Sequence, residues 1–108
     1  MFENKTEFIE FLNKEENKNT TFIILVTATW CGPCKKAKPV IYNNLKQTPT
    51  LKYIEIDYDK YSGFVGGYLK VKTIPTLFAF INGEKQYICY SSNADNINDF
   101  FKNVTEHQ

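Results

Sequence analysis

The sequence contains no arginine; all thirteen of its cationic side chains are Lys. Planar, bidentate clamping of phosphate or carboxylate by a guanidinium is therefore excluded. A basic surplus is lacking as well. Thirteen Lys against twelve Asp and Glu leave a formal charge of +1, whereas a dedicated nucleic-acid binder carries a strong positive excess. Cysteine is scarce: three residues, an odd number, are too few for a small secreted domain stapled by disulfides. The longest apolar run, residues 22–26, falls far short of the roughly 20 residues that a membrane span needs. The first ten residues hold three Glu and lack the basic-then-apolar pattern of a secretory leader. Glu106-His107-Gln108 is neither a lipidation nor a retention signal. These absences set the expectation of a cytoplasmic protein that engages neither nucleic acid nor membrane.

What is present suits one compact domain over residues 1–108. A chain of that length buries roughly two-thirds of its unfolded surface, and nine Phe and seven Tyr supply the apolar bulk. Asn4, with Glu7 three residues on, is placed to cap a helix in which Phe8, Phe11 and Leu12 recur at helical spacing beside Ile9. Residues 13–21 are polar and predict a loop. Residues 22–28 are an apolar, β-branched run suited to a central strand buried on both faces. Residues 35–45 predict a helix interrupted by Pro39, which removes one backbone bond.

Residues 51–57 predict the next strand. Residues 58–68 predict a short helix that Gly63, Gly66 and Gly67 weaken by about 1 kcal/mol each. Residues 76–81 form a strand running directly into Asn82-Gly83, a strong hairpin signal, with residues 84–90 as the return strand. Ser92, followed by Asp95, opens a last helix with Ile97, Phe100, Phe101 and Val104 as its buried stripe. The order αβαβαββα implies an α/β layered domain, a mixed sheet ending in an antiparallel hairpin.

The stretch richest in chemistry is Trp30-Cys31-Gly32-Pro33-Cys34-Lys35, between a buried strand and a helix. A cysteine at a helix N-terminus meets free amides and the positive end of the dipole, which favour a thiolate. Cys31 is thus placed to attack a disulfide, and Cys34, one turn on, to resolve the mixed disulfide. Gly32 and Pro33 shape the turn, with proline well placed in the first turn of a helix. Ile74-Pro75-Thr76 lies about forty residues downstream, at a strand start where proline is allowed, and a cis bond there would be purposeful.

Together these residues resemble the thioredoxin family. The match runs from Ala28 to Lys35 through Pro39, Asp57, Ile74-Pro75-Thr76 and Asn82-Gly83, nearly the whole chain in order. The resemblance implies a thioredoxin fold, a central mixed sheet with helices on both faces. It also implies a cis bond before Pro75, packed beside Cys31, and a thiol–disulfide oxidoreductase that reduces protein disulfides. Substrate would meet Trp30, Gly32, Pro33, Ile74, Pro75, Tyr90 and Ser91, pairing with the backbone at Ile74. Partners are disulfide-containing proteins and a reductase-like electron donor. The protein would act as a monomer, with no bound cofactor and no metal, since the electrons travel in the two sulfurs.

The chain departs from the family pattern at three places. Leu25 stands where the family buries an Asp beneath the second cysteine, and Tyr53 where it places a partnering Lys. A Leu cannot accept the Cys34 proton, which predicts slow resolution. Ser91 replaces a Gly beside the site, and three glycines occupy the helix near it. Alternatives stay open: a redox-inert binding module of the same fold, a glutathione-dependent enzyme, or a zinc pair needing Cys89 and His107 as further ligands. Cys89 is otherwise a small strand residue and His107 an exposed one. Lys35, Lys36 and Lys38 form a solvated helix face, while Tyr58, Tyr61 and Tyr68 are placed to rim a substrate groove.

Overall fold

In a computed structural model, which describes residues 2–107, the chain forms eight principal elements. They are α1 (Lys5–Asn13), β1 (Thr21–Thr27), α2 (Gly32–Gln47), β2 (Lys52–Asp57), α3 (Ser62–Gly67), β3 (Thr76–Ile81), β4 (Glu84–Cys89) and α4 (Ala94–His107). A single 3-10 turn, Glu15–Asn17, interrupts the polar loop after α1. The four strands make one mixed sheet in the order β2-β1-β3-β4. β1 pairs parallel with β2 and antiparallel with β3, and β3 pairs antiparallel with β4.

Every residue of β1 and of β3 is buried, as expected for central strands covered on both faces. Side chains alternate between faces along a strand, and β1 divides accordingly. Phe22, Ile24 and Val26 join Phe8, Leu12, Phe64, Val65, Phe78 and Phe80 in one core, beneath α1 and α3. Ile23 and Leu25 join Ala37, Ile41, Ile97, Phe100, Phe101 and Val104 in the other, beneath α2 and α4. The short α3 is held by aromatic contact rather than by propensity. Phe64 meets Phe8 at 5.3 Å between ring centroids and Phe2 at 6.0 Å.

Several element ends differ from the sequence expectation. β1 and β4 lie one residue earlier than expected at their C-terminal ends. The first turn of the predicted third helix is instead a tight turn, because Asp57 Oδ1 accepts the amides of Asp59 and Lys60. α2 starts at Gly32, three residues before the expected start, with Cys31 itself as the cap, and it passes through Pro39 without ending. α4 is opened by Asn93 rather than Ser92. Asn93 Oδ1 accepts the amides of Asp95 and Asn96, and Ser91 Oγ accepts that of Asn93. Asn4 caps α1 as expected, accepting the Glu7 amide at 3.0 Å. The hairpin turn has φ of 51° at Asn82 and 84° at Gly83, the left-handed pair that matches strand twist.

Phe8 is fully buried and touches rings of Phe2, Phe64, Tyr68 and Phe80. Phe8→Ala is expected to lower unfolding free energy by about 3–5 kcal/mol, measured by urea denaturation; a loss under about 1 kcal/mol would contradict a shared aromatic core.

Candidate active site

The functional residues gather where β1 runs out into α2. Cys31 is in extended backbone at the cap position, and its Sγ accepts the Cys34 amide at 3.1 Å. Gly32 and Pro33 form the first turn, where a missing N–H leaves no helical bond unmade. Cys31 and Cys34 are joined in a disulfide, Cα to Cα 5.3 Å. Cys31 is 3% exposed and Cys34 fully buried; with Ala28 they form a small cluster of their own. Tyr58 and Ile74 pack against that cluster, and the Ile74–Pro75 peptide is cis.

A cleft of about 300 Å³ lies alongside, lined by Trp30, Tyr58, Lys72, Thr73 and Ile74. Trp30 is 64% exposed, yet its ring is anchored: Nε1 donates to Asp59 Oδ2 at 2.7 Å. Sequence reasoning missed Asp59, because the bond spans 29 positions and no local pattern announces it. Of the three tyrosines expected at the rim, Tyr58 lines the cleft, while Tyr61 and Tyr68 pack on the α1–α3 core. Tyr90 and Ser91 line a different groove, with Cys89 and residues of α4. Cys89 packs in the α2–α4 core, and the Tyr87 hydroxyl lies 3.1 Å from His107 Nδ1. Among the described residues, no group of three or more His, Cys, Asp and Glu converges to hold a metal.

Leu25 is fully buried among apolar side chains of the α2–α4 core, so no carboxylate stands at that position. Its partner across the parallel pair is Glu55. The Glu55 carboxylate accepts from the Tyr42 hydroxyl at 2.7 Å and the Tyr53 hydroxyl at 2.8 Å, and its other oxygen is 3.2 Å from Lys38 Nζ. Burial works against this carboxylate, but the bonds from Tyr42, Tyr53 and Lys38, with the Lys38 charge, outweigh it and hold Glu55 below its ordinary value. Burial pushes the Tyr53 hydroxyl up, and the bond to Glu55 adds to that. The bond to Glu55 raises Tyr42 as well, with burial second.

Glu55 therefore favours the folded state above the ordinary carboxylate range, and that contribution fades as pH falls through its lowered folded value. The Tm gap between the parent protein and Glu55→Gln is expected to be widest near neutrality and to close below about pH 4. Thermal unfolding across a pH series measures it; a gap independent of pH would refute the role given to the carboxylate.

The comparisons with known proteins agree with this geometry. The family model described as Thioredoxin matches residues 1–104. A thioredoxin of Ophiophagus hannah is 31% identical over 97 residues, covering 89% of this chain and 91% of that one. A thioredoxin of Homo sapiens is 34% identical over 83 residues, covering 77% and 76%. Among solved structures, oxidised mitochondrial thioredoxin 3 of Saccharomyces cerevisiae superposes with a TM-score of 0.78 at 24% identity, over 94% of this chain and 92% of that one.

Proposed function

We propose that this chain, which belongs to the thioredoxin family, performs its thiol–disulfide exchange with Cys31 as the attacking sulfur and Cys34 as the resolving one. The protein is a thiol–disulfide oxidoreductase. The observation that carries the assignment of roles is the cap: Cys31 Sγ sits at the N-terminus of a 16-residue helix and accepts a backbone amide. An anion there is favoured by the amide and by the helix dipole. An ordinary thiol near pKa 8.5 is about 3% ionised at pH 7, and one near 7 about half ionised. Cys34 lies one turn further on, behind the attacking sulfur, with its own amide engaged in the cap.

In the forward reaction Cys31 thiolate attacks a substrate disulfide. One substrate sulfur leaves as a thiolate, and a Cys31–substrate disulfide forms. Cys34 sulfur then attacks Cys31, the second substrate sulfur leaves, and the two substrate thiols carry away the electron pair. A reductase-type donor returns the pair. Substrate chain lies in the cleft of Trp30, Tyr58, Thr73 and Ile74 beside Pro75, pairing with the Ile74 backbone, with Gly32 and Pro33 beneath, and extends toward the separate groove of Tyr90 and Ser91. Trp30 is fixed for that role by Asp59. The chain works as one domain and as a monomer, in a compartment whose thiol pool keeps the dithiol reduced. The cytoplasm is the proposed site; since a structural relative is named mitochondrial, the mitochondrial matrix is the competing one.

The decisive assay couples protein-disulfide reduction to NADPH through a thioredoxin reductase, with a glutathione system as the comparison donor. Cys31→Ser is expected to lose essentially all activity. Cys34→Ser is expected to accumulate a mixed disulfide with substrate, seen as added mass that a small thiol removes. Full activity in Cys31→Ser, or turnover with glutathione alone, would overturn the assignment.

Leu25→Asp tests the cost of the missing carboxylate. It is expected to resolve mixed disulfides faster between about pH 6 and 8, while losing thermal stability because the new group is buried without a partner. Unchanged resolution kinetics would show that an acid at this position does not assist.

A further inference from the structure

The resolving step requires Cys34 to lose a proton, and Leu25, at the position where the family pattern has a carboxylate, is fully buried among apolar side chains. Beside Leu25 the surroundings change character. A cavity of about 530 Å³, open to solvent, is lined by Thr27, Ala28, Thr29, Lys35, Lys38, Glu55 and Asp57. One of its walls, Ala28, packs directly on the two cysteines. Thr, Lys, Glu and Asp residues are among those that line the cavity, and it is large enough to hold several waters.

Thr27 is one of the residues that line this cavity. It lies on the face of β1 that α2 covers, two positions beyond Leu25 and next to Ala28. It is 7% exposed, and its Oγ1 is buried with no hydrogen-bond partner while the disulfide is closed. Buried hydroxyls are nearly always paired. Reduction creates a new donor on α2, the Cys34 thiol, packed against the Ala28 that directly follows Thr27.

Two carboxylates reach the same cavity. Glu55 is occupied on both oxygens, by two tyrosine hydroxyls and Lys38, and is held charged. Asp57 is the register partner of Thr27, and register partners in a parallel pair share a face. The Tyr58 amide donates to the Thr27 carbonyl at 2.8 Å, which fixes the two strand ends side by side. Asp57 commits Oδ1 to the turn at Asp59 and Lys60. The other charged groups around it are Lys35 and Lys38 on α2, Glu55 on β2, and Asp59 and Lys60 in the turn; Asp59 is engaged by Trp30.

We infer that on reduction the Thr27 hydroxyl, buried while the disulfide is closed, turns into this cavity, where water joins it to Asp57, and that the two carry the Cys34 proton away during resolution. The inference rests on the proposed roles of the two cysteines. The Cys34 S–H bond breaks and its proton passes by Thr27 and cavity water to the Asp57 carboxylate, then to solvent. The sulfur lone pair forms the Cys34–Cys31 bond. The bond between Cys31 and the substrate sulfur breaks, and that sulfur leaves as a thiolate that is protonated from solvent. Thr27 and Asp57 do not touch the substrate; their part in this step is confined to the Cys34 proton.

The test is single-turnover reaction of the fully reduced protein with a small mixed-disulfide reagent across a pH series. The sole tryptophan, Trp30, next to Cys31, reports ring closure, and release of the reagent's first, better-leaving thiol, made chromophoric, reports the first attack. Asp57→Asn keeps an oxygen for the turn. It is expected to slow closure about tenfold at neutral pH, to converge with the parent where Cys34 ionises unaided, above about pH 9, and to leave the first attack unchanged. Thr27→Val is expected to slow closure in the same pH range, and Thr27→Ser to restore it, while Glu55→Gln keeps the parent profile. Identical closure profiles in the parent and Asp57→Asn would overturn the inference, as would Thr27→Val closing at the parent rate. Failure of the parent itself to attack the reagent would instead defeat the reading of Cys31 and Cys34.

Discussion

The whole arrangement depends on β1 being buried from end to end. A strand with no solvent-facing side must be apolar on both faces and paired along both edges, and the run from Phe22 to Val26 meets the first requirement. Its alternate residues belong to two different cores, one roofed by α1 and α3 and the other by α2 and α4. A slip of one residue would exchange the two sets and place Leu25 beneath the wrong helices. Because β1 delivers the chain directly to Cys31, the precision of that register becomes the precision of the thiol pair.

Local hydrogen bonding decides where the strand's influence ends. The bonds around Asp57 and Asp59 fasten the loop after β2, and through Trp30 they fasten the edge of the cleft beside the disulfide. The cluster of Glu55, Tyr42, Tyr53 and Lys38 ties α2 to the edge strand by contacts that a carboxylate alone could not make. At the other end of the sheet, Ser91 turns its hydroxyl toward the cap of α4, accepting from Asn93 and Asn96. The residue at the place where the family has Gly is therefore part of a helix start as well as of a surface.

Much of this was legible from the chain. The strands at residues 22–28 and 76–81 were marked by burial pattern, the hairpin by Asn82-Gly83, and the thiol site by one six-residue string. What was illegible shares a physical cause. Residue periodicity alone placed the start of α2 late, at residue 35, although the thiol string set Cys31 at a helix N-terminus with Pro33 in its first turn, as the structure has it. The start of α4 was a choice among adjacent polar residues that only side-chain geometry settles. Tyr58 could not be separated from Tyr61 and Tyr68 without knowing which way α3 faces. Asp59 and the tyrosine pair at Glu55 acquire their partners, and Thr27 its place beside Asp57, only through strand register and folding of distant segments.

The position of β1 at the centre of the sheet also orders assembly in time. The strand is made early, yet one edge waits for β2 and the other for β3, and the Phe8 ring waits for Phe64 and Phe80. On a ribosome, an emerging chain would hold its most apolar segment unpaired on at least one edge until β3, residues 76–81, had appeared. Non-local pairing of this kind slows folding, since loops must close before contacts reward them. The segment that makes the mature fold rigid is therefore the one most in need of shielding during synthesis.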